Sequence, residues 1–158
     1  MAIPMTGSVM RELIGIYRKA WKEAGHVGNG RIMVAFHMYC SPSKYEARKT
    51  SEPEINAYLR TFADAARAWT TGTTSKDYPG YDKIVEHLDN ANWEKQVANG
   101  SAWCGTPDML IPQINDYLGA IGGVDIASMQ VNYGNMPQDK AHASMRLFAK
   151  EVMPHITA

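Results

Sequence analysis

Apolar side chains recur at three- and four-residue steps near the start of the chain. Met10, Ile14 and Tyr17 fall on one side of a helical wheel, which predicts an amphipathic helix. Ser8 stands where its hydroxyl can cap the first turn, and Gly25 stands where the pattern ends. We therefore expect a helix here that buries one face against a core.

Two later segments are apolar without helical spacing. Residues 31–40 contain an unbroken apolar run from Ile32 to Phe36, and residues 124–132 contain a second run of strand length. A strand without polar alternation is typical of a parallel sheet that is covered on both faces. We therefore predict a strand covered on both faces at residues 31–40 and a second apolar strand at residues 124–132, and the helices between them predict that the two strands run parallel.

Helix signals fill most of the chain between these strands. Ser43 and Glu46 have the spacing of a capping box. Pro53 predicts a break near Thr50, with a second helix running to about Trp69. Residues 70–80 are rich in Thr, Gly and Ser and predict a loop, and two short amphipathic helices follow at residues 81–89 and 92–98.

The last third of the chain predicts two further helices. Thr106 and Pro107 have the order of an N-cap and a first helical residue. Pro112 predicts a kink or a restart of the helix, and Gly122 predicts its end. A final helix is expected over residues 141–153. The alternation of strands and helices indicates an α/β fold, which we assign to one domain, residues 1–158. Two strands make too small a sheet, so further strands come from a partner, from unrecognised segments, or from a longer protein.

Composition narrows the function classes. The 158 residues carry 16 basic and 16 acidic side chains, so no excess of positive charge favours nucleic acid. The sequence contains no apolar run of the roughly 20 residues that span a bilayer, and no secretory signal is visible. Cys40 and Cys104 fit no metal or redox motif. We expect a cytoplasmic protein with reduced thiols, no membrane contact and no metal.

Five segments taken together resemble the bacterial luciferase-like family of flavin-dependent monooxygenases. They are residues 12–25, a helix; residues 32–37, a strand ending in His; residues 105–108, Gly-Thr-Pro-Asp; residues 123–137, a strand and its loop; and residues 144–154, which end in Phe-Ala-Lys-Glu-Val-Met-Pro. Their order and spacing match the carboxyl-terminal part of that family, and the match covers nearly the whole chain.

This resemblance implies a partial TIM-barrel-like fold made of the last βα units of a luciferase-like barrel. The family's first five strands have no counterpart here, and residues 3–5 are a stub of the sixth. The family binds FMN or F420, and much of its flavin site lies in the strands without a counterpart. The resemblance therefore implies a flavin-dependent oxidoreductase acting on a small molecule, completed by homo-oligomerisation or by an N-terminal half-barrel partner. The isolated chain need not bind flavin.

Four residues are candidates for the site. His37 ends the first strand, where barrel enzymes gather their chemistry, and an imidazole titrating near neutrality can act as a general acid or base. Tyr39 points to the same face and can donate a hydrogen bond. Gln130 and Asn132 share a face of the second strand and can bind the polar edge of a flavin or a substrate carbonyl. The alternative for His37 is a structural hydrogen bond inside the barrel mouth. The alternative for Tyr39 is a partly buried structural role, and for Gln130 and Asn132 it is ordinary hydrogen bonding at the end of a strand.

Two other interpretations of the chain remain open. A partial barrel exposes strand edges and apolar faces, which favour pairing with a second copy. The chain is then a non-catalytic interaction or structural module. Alternatively, it is a truncated remnant of a longer enzyme.

Overall fold

The computed structural model describes residues 6–70 and 81–157. The first helix, α1 (Gly7–Glu23), buries Met10 and Ile14, as the apolar spacing predicts. Thr6 occupies the N-cap position with an extended backbone. The prediction of a Ser8 cap is therefore wrong, because the helix begins before Ser8.

Within the described ranges, the sheet has three parallel strands in the order β2-β1-β3: β1 (Met33–Cys40), β2 (Ala102–Gly105) and β3 (Ile126–Gln130). The two predicted strands are confirmed as β1 and β3, which lie side by side. β2 was not predicted, and it pairs only with the carboxyl-terminal half of β1, from His37 to Cys40. One of the three sources proposed for additional sheet, an unrecognised strand, is therefore present within the chain.

The two faces of β1 contact different parts of the molecule. Val34, Phe36 and Met38 point into the larger core, which also contains side chains of α1, α5 (Pro107–Ile121) and α6 (Gln138–Glu151). Tyr39 points into a second core formed with α2 (Lys44–Thr70), α4 (Trp93–Ala98) and the loop after β3. His37 has the same strand parity as Tyr39 and lies on that second face. Burial of seven consecutive residues of β1 confirms the expectation of a strand covered on both faces.

Helix α2 is continuous, so the predicted break near Thr50 is wrong. Pro53 removes one backbone N–H from the helix, but Trp93 is bonded to α2 on both sides of it, at Ser51 and at Asn56. The Ser51 hydroxyl donates to the Ala47 carbonyl at 2.7 Å and accepts from the Trp93 indole N–H at 2.7 Å. The predicted cap is confirmed at Ser43, whose Oγ accepts from the Glu46 amide at 3.4 Å.

The other helices follow the predicted order. The two short helices are α3 (Tyr81–Asp89) and α4, and a 3₁₀ turn, Met153–His155, follows α6. Thr106 is the N-cap of α5 without a side-chain capping bond, Pro107 is the first residue, and Gly122 in the left-handed region ends the helix. α5 runs through Pro112, so the predicted restart does not occur. Of the predicted loop at residues 70–80, Thr70 belongs to α2, and residues 71–80 lie outside the described residues, as does the stub at residues 3–5. None of the described helices is both long and apolar enough to cross a membrane.

A buried side-chain hydrogen bond joins α6 to the end of β1. The Cys40 backbone N–H donates to Ser144 Oγ at 2.7 Å, and Ser144 is 1% exposed. We expect Ser144→Ala to lower the free energy of unfolding by about 1–3 kcal/mol, because it leaves a buried amide without a partner. Urea denaturation measures this, with exposed Lys140→Ala on the same helix as control. Equal stability of the two variants would contradict the assignment.

Candidate functional site

Aromatic rings from two other segments enclose the imidazole of His37. The ring is 6% exposed, and its centroid lies 4.7 Å from that of Tyr58 on α2 and 4.9 Å from that of Tyr133 after β3. Both contacts are edge-to-face, with interplanar angles of 75° and 74°. These three residues, together with Tyr39 and Cys104, are called the His37 cluster below.

Helix α2 positions both tyrosines of this enclosure. Glu54 lies one turn before Tyr58 on α2, and its carboxylate accepts from the Asn135 backbone N–H at 2.6 Å. This bond holds the turn that follows Tyr133. Gly134 in that turn has a φ of +62°, and a Cβ there would stand 2.5 Å from Glu54 Oε2 and 3.0 Å from the Glu54 carbonyl oxygen. The turn therefore requires glycine so that the backbone can approach α2 closely.

Cys104 and Tyr39 complete the His37 cluster from neighbouring strands. They are register partners in the β1–β2 pair, and Cys104 Sγ lies 3.9 Å from the Tyr133 hydroxyl. Burial raises the pKa of the Cys104 thiol to about 11 and raises the pKa of the Tyr133 hydroxyl above its ordinary value. On the opposite face of β1, burial likewise raises the pKa of Cys40 to about 11. Both free thiols stay protonated at neutral pH, so neither is an active nucleophile.

The imidazole of His37 is neutral at physiological pH. Burial lowers the pKa of His37 from 6.5 to about 4, and the nearby Gln96 side chain opposes this lowering. The expectation of an imidazole titrating near neutrality is therefore wrong, because the charged form is excluded from water here. Nε2 of His37 and Oε1 of Gln96 are both buried, and neither makes a hydrogen bond of good geometry with any described residue. The imidazole therefore has a buried nitrogen, Nε2, that lies among aromatic rings without a hydrogen bond of good geometry.

Gln130, the last residue of β3, lies beside His37. His37 itself does not end β1, which continues to Cys40, so its predicted place at the end of the strand is wrong. The two are register partners in the β1–β3 pair, so their side chains leave the sheet on the same face. Gln130 is exposed, whereas His37 is buried. β3 ends at Gln130 rather than at residue 132, so strand alternation does not carry Asn132 onto that face. Asn132 is exposed in the following loop.

Sequence reasoning missed several neighbours of His37. Tyr58 comes from the middle of α2, and Tyr133 comes from the loop after β3. Nothing in the local pattern joins either ring to residue 37. Strand β2 had a usable signal, since Ala102–Gly105 is a short apolar run directly before the start of a helix at Thr106. Gln96 had none, because an amide on a six-residue helix is ordinary.

Two cavities of the described residues lie away from the His37 cluster. A cavity of about 430 Å³ is lined by apolar side chains between the sheet, α5 and α6, including Met38, Ile114 and Phe148. A smaller one of about 270 Å³ lies between α2 and the α3–α4 segment and includes Arg60 and Asp89. Within the described residues, no three His, Cys, Asp or Glu side chains are placed to share a metal ion.

Comparison with known proteins shows that the fold of this chain is similar to part of several solved structures. No protein-family model and no curated protein matches the chain. Among solved structures, monooxygenase RslO1 from Streptomyces bottropensis matches with 24% identity and a TM-score of 0.62, covering 96% of this chain and 39% of RslO1. The oxygenating constituent of 3,6-diketocamphane monooxygenase from Pseudomonas putida, a type II Baeyer–Villiger monooxygenase solved in complex with FMN, matches with 23% identity and a TM-score of 0.66.

The matches cover almost all of this chain but less than half of either solved structure. The second structure is covered over 41% of its length by 96% of this chain. The chain therefore spans about two fifths of the length of the structures it matches. A small parallel sheet with helices on both sides is consistent with part of a barrel.

Proposed function

We propose that this chain is the carboxyl-terminal part of a flavin-dependent monooxygenase with a luciferase-like fold, in which it supplies one wall of the pocket for flavin or substrate. One observation carries the proposal: a buried, neutral imidazole stands in the carboxyl-terminal half of the central strand, level with the end of β3. Gln130 stands beside it on the same face. In barrel enzymes this end of the strands holds the chemistry.

The side chains on this face suit one part of a flavin and not another. Ser128 is on the same face of β3 as Gln130, and Asn132 follows in the loop. Hydroxyl and amide groups can pair with the carbonyl and N–H edge of the isoalloxazine ring. None of the three is cationic, so the phosphate would be held by residues elsewhere in a completed protein. Bound flavin would supply the redox chemistry with oxygen.

In this proposal the residues of the chain have separate roles. His37, neutral at pH 7, donates or accepts one hydrogen bond towards the reacting groups and is the candidate catalytic residue. Tyr39 and the rings of Tyr58 and Tyr133 keep water from it and fix its orientation. Gln130 and Asn132 bind flavin or substrate. FMN is the cofactor that we propose, because the P. putida structure contains FMN; F420 is the alternative.

A binding experiment tests the proposal. FMN and F420 are titrated into the purified chain, alone and mixed with the amino-terminal three fifths of the P. putida oxygenating constituent, and flavin fluorescence and visible circular dichroism are followed. We expect saturable FMN binding in the mixture, weakened at least tenfold by the double variant Gln130→Ala, Asn132→Ala. Tenfold corresponds to about 1.4 kcal/mol, the scale of one or two lost hydrogen bonds.

The control is Gln138→Ala, which removes an exposed amide at the start of α6 and should leave FMN binding unchanged. Saturable binding of neither flavin in either sample would overturn the proposal. Binding of F420 alone would keep the fold assignment and replace the cofactor. Equal weakening by the control and by the double variant would remove Gln130 and Asn132 from the site.

A self-associating structural module is the second candidate function. Val9, Leu13 and Ile16 are 41%, 45% and 59% exposed on α1, and β3 has no strand on its outer edge among the described residues. Apolar patches and free strand edges favour pairing with a second copy. Size-exclusion chromatography with light scattering decides this, with Leu13→Lys expected to dissociate such a dimer. A wild-type monomer would exclude self-association.

A further inference from the structure

Two buried polar atoms on different elements lack partners in the same region. Nε2 belongs to His37 on β1 and Oε1 belongs to Gln96 on α4, and each is buried without a hydrogen bond to a described residue. A buried polar group without a partner destabilises the folded state, and the Gln96 side chain is close enough to His37 to act on its pKa. Two such groups of complementary chemistry indicate that each is the intended partner of the other.

The backbone of α4 is fixed against the sheet next to His37. Asn92 caps the helix by accepting from the Lys95 amide at 2.9 Å, and the Trp93 amide donates to Asn56 Oδ1 on α2 at 2.9 Å. The Gln96 carbonyl accepts from Ser101 Oγ at 3.4 Å. Ser101 directly precedes Ala102, the register partner of His37. Gln96 therefore cannot move far from the imidazole without breaking these contacts.

We propose that Gln96 is a positioning residue that selects the tautomer of His37. An amide oxygen only accepts hydrogen bonds, so Oε1 of Gln96 favours the imidazole with its proton on Nε2. Nδ1 then carries the lone pair and is the acceptor that the ring offers to a bound molecule. The bond closes by a small adjustment of the Gln96 side chain. This inference rests on the proposed role of His37, but the tautomer itself exists without any flavin.

Among the described groups around the imidazole, Gln96 is the one that we expect to select the tautomer of His37. The rings of Tyr58 and Tyr133 meet it edge-to-face. The Cys104 thiol lies 3.9 Å from the Tyr133 hydroxyl, and Tyr39 lies in the same core. The carboxylate of Glu54, which acts on Tyr133, accepts from the Asn135 amide. A substitution at residue 96 should therefore directly change the tautomer or the protonation of His37.

Nitrogen NMR of the histidine-labelled chain tests the proposal without cofactor. In the wild type we expect His37 to show one tautomer, protonated on Nε2. Gln96→Leu should give a mixture of both tautomers, and Gln96→Glu should raise the titration midpoint of His37 by about one to three pH units, because a carboxylate stabilises the imidazolium. Gln138→Glu adds the same charge at an exposed position and should leave His37 unchanged.

Three results would overturn this inference. The first is a wild-type His37 protonated on Nδ1, which would mean that the amide nitrogen of Gln96 faces the ring. The second is a Gln96→Leu variant in which His37 keeps the wild-type tautomer. The third is a Gln96→Glu variant that shifts the titration midpoint of His37 no more than Gln138→Glu does. The wild-type measurement decides even if a variant fails to fold. Failure of flavin binding leaves all three measurements intact, so the two proposals fail separately.

Discussion

Replacing Phe36 with alanine is expected to lower the free energy of unfolding by about 3–5 kcal/mol, the range for a fully buried phenylalanine. Its side chain is 0% exposed at the middle of β1. The ring stacks on Trp103 with centroids 3.9 Å apart and an interplanar angle of 15°, and it meets Tyr117 edge-on at 5.5 Å. Truncation removes both contacts and leaves a cavity between the sheet and α5.

The size of this effect follows from the position of Phe36 between elements distant in sequence. Trp103 comes from β2 and Tyr117 from α5, so one ring joins the central strand to an edge strand and a covering helix. A marginally stable domain has about 5–15 kcal/mol in total. We therefore expect Phe36→Ala to be largely unfolded at temperatures where the wild type is folded.

Thermal and urea denaturation followed by circular dichroism measure this loss. Ile16→Ala is the matched control, because Ile16 is an apolar residue that is 59% exposed on α1; it should cost less than about 1 kcal/mol. A Phe36→Ala variant as stable as the Ile16→Ala variant would contradict the placement of β1 at the centre of the sheet.

Local patterns in the sequence predicted the fold where the signal lies within one element. The run Ile32 to Phe36 predicted a buried strand, since no polar alternation interrupts it, and the two short helices after residue 80 were predicted from their apolar spacing. The break at Thr50 was predicted wrongly, because contacts of Ser51 with Trp93 and Ala47 stabilise α2 through Pro53. The contact of Ser51 with Trp93 joins residues 42 positions apart and leaves no local pattern.

The candidate site was predictable only in part for the same reason. His37 was found because it ends a predicted strand, and Gln130 because it ends the neighbouring one. The enclosure of His37 by Tyr58 and Tyr133 depends on Glu54 holding the turn at Asn135, an interaction across 81 positions. Burial by that enclosure changes the chemistry of the imidazole from a titrating group to a neutral one. A property set by tertiary burial cannot be read from the residue type.

Acid should destabilise the folded chain through His37 within a defined pH window. Above pH 6.5 the imidazole is neutral in both the folded and the unfolded state, so its stabilising contribution is fully present. As the pH falls from 6.5 to about 4, the unfolded chain binds a proton at residue 37 while burial keeps the folded imidazole neutral, which favours unfolding. Below about pH 4 both states are protonated and the contribution has been lost.

The expected loss is about 3 kcal/mol, because the two pKa values of His37 differ by about 2.5 pH units and each unit corresponds to about 1.4 kcal/mol. Carboxylates also titrate in this window, so the measurement is a comparison: urea denaturation at several pH values between 7 and 4 for wild type and His37→Phe. The variant should lose about 3 kcal/mol less than the wild type. His142→Gln, which replaces an exposed imidazole, is the control. The difference in acid-induced loss between wild type and His37→Phe must exceed the difference between wild type and His142→Gln. An acid-induced loss that persists undiminished in His37→Phe would assign it to the carboxylates and show that the tyrosine enclosure does not hold the imidazole neutral.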